Sequence, residues 1–395
     1  MKNAILLTLV LVLTFTVNFA AKYGSSSQFD SIYGTDDSGQ YIKIMSFNTY
    51  WLFDCIDDPD VGMDQDRMPS GCQDSGNTSS AELMELSDEL DESDYDWGSD
   101  SRDKVAQTYE DRLKSIAHVI NSHGPDVLAL QEVENRQVLD DLNRFLMKNY
   151  AILHFDGMDS FTGQDLALLY NREILKESRP MSHNLSYSAD LIDEDGNVLV
   201  ANRTLSKGIL ETELEIIGTD IRLAFLVVHL KSQLGGFQAD LKRIAQANTL
   251  RKKMDEIFNT YNKKIFVMGD MNDVNPSPVI EMLTGESSYH YDYNGSNQIL
   301  YYDLLVDFDK ENFGAKNFSY LHKKFLKAGA KHRYLGTFHT RIDYIFASPW
   351  VRSRSREAMI DQSFPLSTRK PSDHYPVVTK YYYHLNPVQE EEPSR

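Results

Sequence analysis

The chain has 395 residues, of which 41% are hydrophobic and 25% charged, and its formal net charge is −19. This composition excludes a fibrous or intrinsically disordered protein, and the length allows one large domain or two of ordinary size. The acidic balance argues against a nucleic-acid partner unless the negative charge is concentrated in one segment.

The chain begins with the layout of a secretory signal peptide. One lysine near the start is followed by an uncharged apolar stretch, residues 4–17, and by small residues at Ala20 and Ala21. The stretch is shorter than the roughly 20 apolar residues of a membrane span. We therefore predict a signal peptide over residues 1–21, a secreted or periplasmic protein, and no stable membrane insertion.

Most of the negative charge lies in one segment. Residues 54–103 contain 17 acidic residues against two arginines, so they carry −15 of the net charge and leave −4 for the rest of the chain. We interpret this segment as an acidic surface insertion. A structural Ca²⁺ ion and a plain solvated loop are both compatible with its carboxylates, which match no spaced calcium motif. Both cysteines, Cys55 and Cys72, lie here, and an oxidising compartment favours a disulfide between them.

The rest of the chain alternates between strand-like and helix-like patterns. Helical periodicity occurs in three segments, residues 105–120, 138–146 and 241–258. Apolar runs of strand length flank each segment, and this alternation is typical of an α/β protein. We predict one domain over residues 41–383 and a solvated tail over residues 384–395.

Polar side chains mark the ends of six predicted strands. Four strands end on such groups: Asn48, Glu132, His229, and Asp270 with Asn272. Two strands begin with them: Asp343, and Asp373 with His374. Each group alone is explained by a turn, a helix cap or a buried histidine. If the last two strands run antiparallel to the other four, all these side chains meet at one rim of the sheets, and we predict a site there.

The residue types at this rim indicate phosphoester chemistry. Asn48, Glu132 and Asp373 offer oxygen donors without thiolates, a set that suits Mg²⁺ or Mn²⁺. The sequence lacks a nucleophilic serine elbow and a glycine-rich phosphate loop. A divalent ion beside two histidines and further carboxylates fits hydrolysis of a phosphate ester by water.

Seven segments then occur in a familiar order: "MSFNTYWLFD", "LALQEVEN", "QDLALLYN", "VVHLKSQLGG", "VMGDMND", "RIDYIFASP" and "SDHYPVV". This ordered set resembles the endonuclease/exonuclease/phosphatase superfamily of DNase I-like enzymes, most closely its secreted bacterial nucleases. The resemblance runs from Tyr41 to Tyr383. It implies a four-layer α/β sandwich, in which two mixed β-sheets pack face to face with helices outside.

The resemblance also implies a role for each residue at the rim. The metal would lie mainly on Glu132, with Asn48 and Asp373 as further ligands. Asp270 would orient or deprotonate the attacking water, and Asn272 would hold that water or the scissile phosphate.

The two histidines receive different roles from the resemblance. Asp343 would hydrogen-bond His374 and keep it protonated, so that it binds a phosphoryl oxygen or acts as an acid. His229 occupies a place where DNase-like members carry a histidine and abasic-site enzymes a tyrosine. Lys231 is a candidate phosphate contact, and a surface lysine is the alternative interpretation.

A basic segment favours a nucleic-acid substrate. Residues 323–356 contain nine lysines and arginines, among them Arg333 and Arg341, against Asp343 as the only acid. We expect a monomer that binds DNA, and RNA as a further substrate, with little base specificity. The alternatives are a phospholipid phosphodiesterase of the sphingomyelinase kind, a sugar or inositol phosphatase, and a binding module without turnover. A lipid enzyme would need an exposed apolar loop, and the sequence offers no persuasive one.

Overall fold

The computed structural model describes residues 40–54, 109–157, 162–183, 188–192, 198–204, 207–233, 236–285, 302–305, 320–328, 331–352, 354–363 and 371–384. The predicted signal peptide, the tail after residue 384, and the acidic insertion apart from Asp54 lie outside these residues. The predicted disulfide between Cys55 and Cys72 therefore also lies outside them, and the domain bounds 41–383 stay a prediction.

The first sheet has six strands. In spatial order they are β15 (Ser355–Ile360), β16 (Val377–His384), β1 (Gln40–Leu52), β2 (Val127–Val133), β4 (Asp165–Asn171) and β3 (Tyr150–Phe155). Every residue of β2 is buried, because the strand is covered on both faces, and this explains its nearly continuous apolar sequence.

The second sheet also has six strands. In spatial order they are β11 (Tyr302–Asp303), β14 (Asp343–Ala347), β10 (Ile265–Asp270), β9 (Arg222–His229), β8 (Leu210–Ile216) and β5 (Leu175–His183). Two further strand pairs are hairpins: β6 (Ser188–Ile192) with β7 (Val198–Thr204), and β12 (Tyr320–Ala328) with β13 (Lys331–Thr340).

The helices of the described residues are α1 (Tyr109–His123), α2 (Arg136–Asn143), α3 (Gly236–Thr260), α4 (Pro278–Thr284) and α5 (Pro349–Arg352). The three predicted helical segments are confirmed as α1, α2 and α3. Helix α2 begins after Asn135, whose side chain accepts the N–H of Val138, and it ends earlier than the apolar pattern predicts. None of the helices in the described ranges is long and apolar enough to span a membrane.

Three hydrophobic clusters define four layers. Ile44 and Tyr381 of the first sheet lie with Phe225 and Phe266 of the second in one buried cluster between the sheets. A second cluster joins the outer face of the first sheet to α1 and α2. A third joins the outer face of the second sheet to α3 and α4. The predicted fold, two mixed sheets packed face to face with helices outside, is confirmed.

Strand direction brings the predicted site residues to one rim. Strands β1 and β2 are parallel, and so are β9 and β10, whereas β16 is antiparallel to β1 and β14 is antiparallel to β10. The C-terminal ends of β1, β2, β9 and β10 therefore lie at the same edge as the N-terminal ends of β14 and β16. This is the arrangement that the sequence predicted.

Candidate active site

Asn48 connects the two sheets at this rim. Its Nδ2 donates to Glu132 Oε1 at 3.0 Å, in the same sheet, and to Asp270 Oδ2 at 3.1 Å, in the opposite sheet. Its Oδ1 accepts the backbone N–H of Tyr50 at 2.9 Å. The amide thus holds two carboxylates side by side, and its oxygen faces the backbone of its own strand. Metal ligation by Asn48 itself stays a prediction.

Glu132 lies at an irregularity of the backbone. Its φ is 61°, in the left-handed region, and the pairing of β2 with β4 shifts register between Gln131 and Val133. The N–H of Trp51 donates to Glu132 Oε2 at 3.1 Å. Because one oxygen is bound by Asn48 and the other by Trp51, the carboxylate is fixed at both ends.

Arg112 supports this part of the rim from α1. The backbone is left-handed at Tyr50 and Trp51, each with φ 52°, and Arg112 donates to the carbonyl of Thr49 at 2.8 Å and to that of Tyr50. Burial lowers the pKa of Arg112, while negative charges, those of Asp373 and Glu132 among them, act in the opposite direction. Sequence reasoning missed this residue, although an arginine within the apolar stripe of an amphipathic helix is a usable signal.

The register of β9 and β10 places His229 directly beside Asp270. His229 Nε2 lies 3.7 Å from Asp270 Oδ2 and 3.7 Å from Glu132 Oε1. A Cβ atom at Gly269, whose φ is 144°, would lie 1.9 Å from the carbonyl oxygen of Val228. Only glycine therefore fits this close approach of the two strands.

His229 is neutral at physiological pH. Burial lowers its pKa well below the usual value, and the positive charges of Lys207, His374 and Lys231 lower it further. Its Nδ1 is buried and has no hydrogen-bond partner among the described residues.

His374 is protonated, in contrast. Its Nδ1 lies 2.8 Å from Asp343 Oδ2, and its Nε2 lies 3.9 Å from Asp270 Oδ2 and 3.7 Å from Asp373 Oδ1. Burial alone would lower the pKa of His374, but the charges of Asp343 and Asp373 and the Asp343 hydrogen bond outweigh it and raise the pKa to about 10.

Asp270 is an unusually basic carboxylate. Burial and the repulsion of Asp343 raise its pKa to about 8, although the charge of His374 acts in the opposite direction. The backbone N–H of Asn272 donates to Asp270 Oδ1 at 2.7 Å and fixes the carboxylate. A carboxyl group with this pKa accepts a proton far more readily than an ordinary aspartate.

Among the described residues, two overlapping groups of side chains could hold a metal ion. They are Glu132, His229 and Asp270, and Asp270, Asp343 and His374, and within each group the ligand atoms lie within 4.8 Å of one another. The first group fits a divalent ion better, because with Asp270 ionised it combines two carboxylates with a neutral imidazole. The second contains an imidazolium, which must lose a proton before it can bind a metal.

The predicted substrate-binding residues lie in different surroundings. Lys231 follows β9 and is partly exposed, and its N–H donates to Gln246 Oε1 at 2.7 Å. Arg341 is buried, with its Nη1 2.7 Å from Asp303 Oδ2. Arg333 lies on β13, and its side chain is outside the described part of the structure. Substrate contact by these three residues stays a prediction.

The sandwich fold and a rim of carboxylates, amide and imidazoles define the class of DNase I-like hydrolases. A protein-family model described as the endonuclease/exonuclease/phosphatase family matches residues 78–327, more than half of the chain. The chain belongs to this family, whose members hydrolyse phosphate monoesters or diesters. A sequence search of the curated proteins finds no significant match.

Solved structures with a similar fold have low sequence identity to this chain. The human Nocturnin catalytic domain is 15% identical over 86% of this chain and 94% of that chain, with a TM-score of 0.49. TDP2 from Caenorhabditis elegans is 15% identical over 90% and 79%, with a TM-score of 0.48. An endonuclease/exonuclease/phosphatase family protein from Bacteroides thetaiotaomicron is 14% identical over 88% and 100%, with a TM-score of 0.46. Likeness at this level carries no argument about substrate.

Proposed function

We propose that this protein is a secreted, divalent-metal-dependent endonuclease that hydrolyses phosphodiester bonds of DNA, and also of RNA, with little sequence specificity. One observation carries the catalytic part of the proposal. A basic carboxylate, Asp270, lies between an imidazolium, His374, and a fixed carboxylate, Glu132, at one rim of the sandwich. These are the base, the acid and the metal ligand that hydrolysis by water requires.

Glu132 would hold the ion, with Asp373 as a further ligand predicted from the sequence. A bound Mg²⁺ or Mn²⁺ ion supplies positive charge to the phosphoryl oxygens. The hydrogen bonds from Asn48 and Trp51 support this role, because they leave the carboxylate little freedom to rotate away.

Asp270 serves as the base in this proposal. A pKa of about 8 makes the ionised carboxylate a stronger base than an ordinary aspartate, and it would take the proton of the attacking water in the ionised fraction, which grows as pH rises through about 8. Asn272 fixes one oxygen of the carboxylate and Asn48 donates to the other, so the proton-accepting direction is set before the substrate binds.

His374 serves as the acid or as the phosphate-binding cation. Because Asp343 binds Nδ1, the proton on Nε2 is available to a phosphoryl oxygen or to the leaving oxygen. Neutral His229 serves as a hydrogen-bonding group on the Glu132 side of the rim. The opposite charge states of the two histidines support assigning the acid role to His374.

The basic segment of residues 323–356 supports a nucleic-acid substrate. Its hairpin ends at Thr340, three residues before Asp343, so the base of the hairpin adjoins the rim. We expect the lysines and arginines of this segment to suit a polyanion that extends beyond the scissile phosphate.

A substrate panel tests this proposal. Purified protein is incubated with supercoiled plasmid DNA, RNA, sphingomyelin vesicles, phosphoinositides and a sugar phosphate, each with Mg²⁺ and with EDTA. His374→Ala, which removes the proposed acid, serves as the inactive control. We expect nicking of the plasmid and cleavage of RNA, with Mg²⁺ only. Faster turnover of the vesicles or of a phosphate monoester would move the assignment to the alternative enzymes.

Secretion is a separate part of the proposal. We expect the N-terminus of the secreted protein to begin after the predicted signal peptide, and non-reducing mass spectrometry to find peptides linked through Cys55 and Cys72. Two thiols that alkylate freely in the native protein would contradict the disulfide.

A further inference from the structure

Arg243 is a buried cation on α3 that connects two loops at the active-site rim. Only 4% of the residue is exposed. Its guanidinium donates to four groups: Asp273 Oδ2 at 2.9 Å, the carbonyls of Lys231 and Ser232, each at 3.3 Å, and Asp240 Oδ1 at 2.6 Å. Arginine suits this position because its planar donors reach several acceptors at once.

The two connected loops follow the strands that carry His229 and Asp270. Lys231 comes two residues after His229, and Asp273 comes directly after Asn272. The loops also contact each other, since Asn272 Nδ2 donates to the carbonyl of Leu230 at 3.0 Å. A guanidinium that bonds both loops therefore restricts how His229 can move relative to Asn272.

The restriction affects the active site because Asn272 orients Asp270. The backbone of Asn272 is in the left-handed region, with φ 50°, and its N–H orients the Asp270 carboxylate. This backbone region is less favoured than the right-handed one, although asparagine tolerates it better than most residues, so the contacts of the loop help to hold it. If the loop after β10 relaxed, the hydrogen bond to Asp270 Oδ1 would be lost with it.

We propose that Arg243 is a positioning residue of the active site, which sets the placement of His229 and Asn272 by tying both loops to α3. The inference rests on the proposed phosphodiesterase function for its kinetic consequence, but the loop restraint is a property of the fold. Displacement of reacting groups by about 1 Å can cost about 10²-fold in rate. Arg243 therefore affects kcat without touching the substrate.

Helix α3 contains a matched control. Arg251 is also buried, with 8% exposed. Its Nε donates to Asp255 Oδ2 at 2.9 Å, and its Nη1 donates to the carbonyls of Met282 and Leu283 at 3.1 and 3.3 Å. The chemistry is nearly the same as that of Arg243, but Arg251 binds the end of α4 instead of the loops at the rim.

The experiment compares Arg243→Met with Arg251→Met in the full chain. Both variants lose a buried guanidinium with similar bonds, so we expect similar losses of thermal stability. Plasmid nicking with Mg²⁺ should fall in kcat by about 10²-fold for Arg243→Met, with a smaller change in KM, and by less than about threefold for Arg251→Met. Compared with Arg243→Met, Arg243→Lys should recover less than about a tenth of the lost kcat, because an ammonium group does not reproduce the planar set of donors.

Hydrogen exchange gives a readout that does not depend on turnover. The amides of residues 230–233 and 270–274 should exchange faster in Arg243→Met, and at the wild-type rate in Arg251→Met. If the wild-type protein cleaves no phosphodiester, the proposed function fails while this exchange result still tests the restraint. Wild-type kcat in folded Arg243→Met, equal kcat losses in both variants, or unchanged exchange at the two loops would overturn the proposal. If the Met variants do not fold, Arg243→Lys and Arg251→Lys provide the same comparison.

Discussion

Asp343→Asn removes the negative charge that holds the proton on His374. The carboxylate lies 2.8 Å from Nδ1 of the imidazole, and both groups are buried. With the pKa of His374 raised to about 10, the imidazolium is favoured at pH 7 by roughly 4 kcal/mol. The substitution keeps the shape of the side chain and changes its charge, so it isolates the electrostatic contribution.

The expected size of the effect follows from the loss of one close opposite charge. Such a charge raises the pKa of an imidazole by roughly 1–3 units, and burial continues to favour the neutral ring. The pKa of His374 should therefore fall from about 10 towards the range of ordinary histidines. Asp343 also raises the pKa of Asp270, so that pKa should fall from about 8 as well. Both limbs of the pH–rate profile should move to lower pH, and the maximal kcat should fall by about 10²-fold.

Two assays measure these shifts. The pH dependence of kcat on bis(p-nitrophenyl) phosphate gives the limbs, and NMR titration of labelled histidine gives the pKa of His374 directly. The raised pKa stabilises the folded protein below the ordinary histidine value, and this contribution is lost as pH rises through about 10. As pH rises from about 6.5 to about 10, the unfolding free energy of the wild type should therefore fall more than that of Asp343→Asn. An unchanged basic limb and an unchanged His374 titration in the variant would refute the electrostatic role of Asp343.

Three further predictions concern stability and substrate binding. Gly208→Ala should lower the unfolding free energy by about 2–4 kcal/mol in urea titrations, because φ is 70° there and a Cβ atom would lie 2.0 Å from the Phe155 ring; a loss below about 0.5 kcal/mol would contradict it. Burial alone would raise the pKa of Asp361, but hydrogen bonds from His123 and Ser363 hold this pKa below its usual value. The ionised Asp361 carboxylate therefore stabilises the fold above pH 4, and this contribution is lost as pH falls. Asp361→Asn should thus be less stable than wild type at pH 7 by about 1–3 kcal/mol, with the difference shrinking below pH 4, and a difference that stays constant with pH would disprove the linkage. On DNA, kcat/KM should fall steeply with salt, with a log–log slope near −0.9 for each phosphate contacted, and a salt-independent value would argue against a polyanionic substrate.

The site could be predicted from the sequence because strand direction places polar groups. Asn48, Glu132 and His229 lie at or near the C-terminal ends of their strands, whereas Asp343 begins its strand and His374 precedes β16. One topological assumption, that the two reversed strands are antiparallel to their neighbours, was enough to bring these groups to one rim, and the sheets confirm it. The α/β alternation could be predicted because each helical segment carries one apolar stripe, whereas the four-layer arrangement was implied by the resemblance to the superfamily.

The charges and hydrogen bonds of the site could not be predicted in the same way. Whether His229 or His374 is protonated depends on which carboxylate bonds the ring, and this is set by contacts between residues far apart in the chain. The pairing of Arg341 with Asp303 and the position of Arg243 between two loops also depend on tertiary packing. Periodicity carries no information on such pairs.

Mg²⁺-dependent nicking of supercoiled plasmid by wild type and by Glu132→Gln, measured side by side, tests the central claim most directly. Glutamine keeps the size of the side chain and removes the charge that would hold the ion, while Asn48 and Trp51 still surround it. We predict nicking by the wild type that EDTA abolishes and added Mg²⁺ restores. The folded variant should show at least about 10²-fold less activity at any Mg²⁺ concentration. Full activity of the wild type in EDTA, or of Glu132→Gln in Mg²⁺, would contradict metal-dependent phosphodiester hydrolysis at this rim.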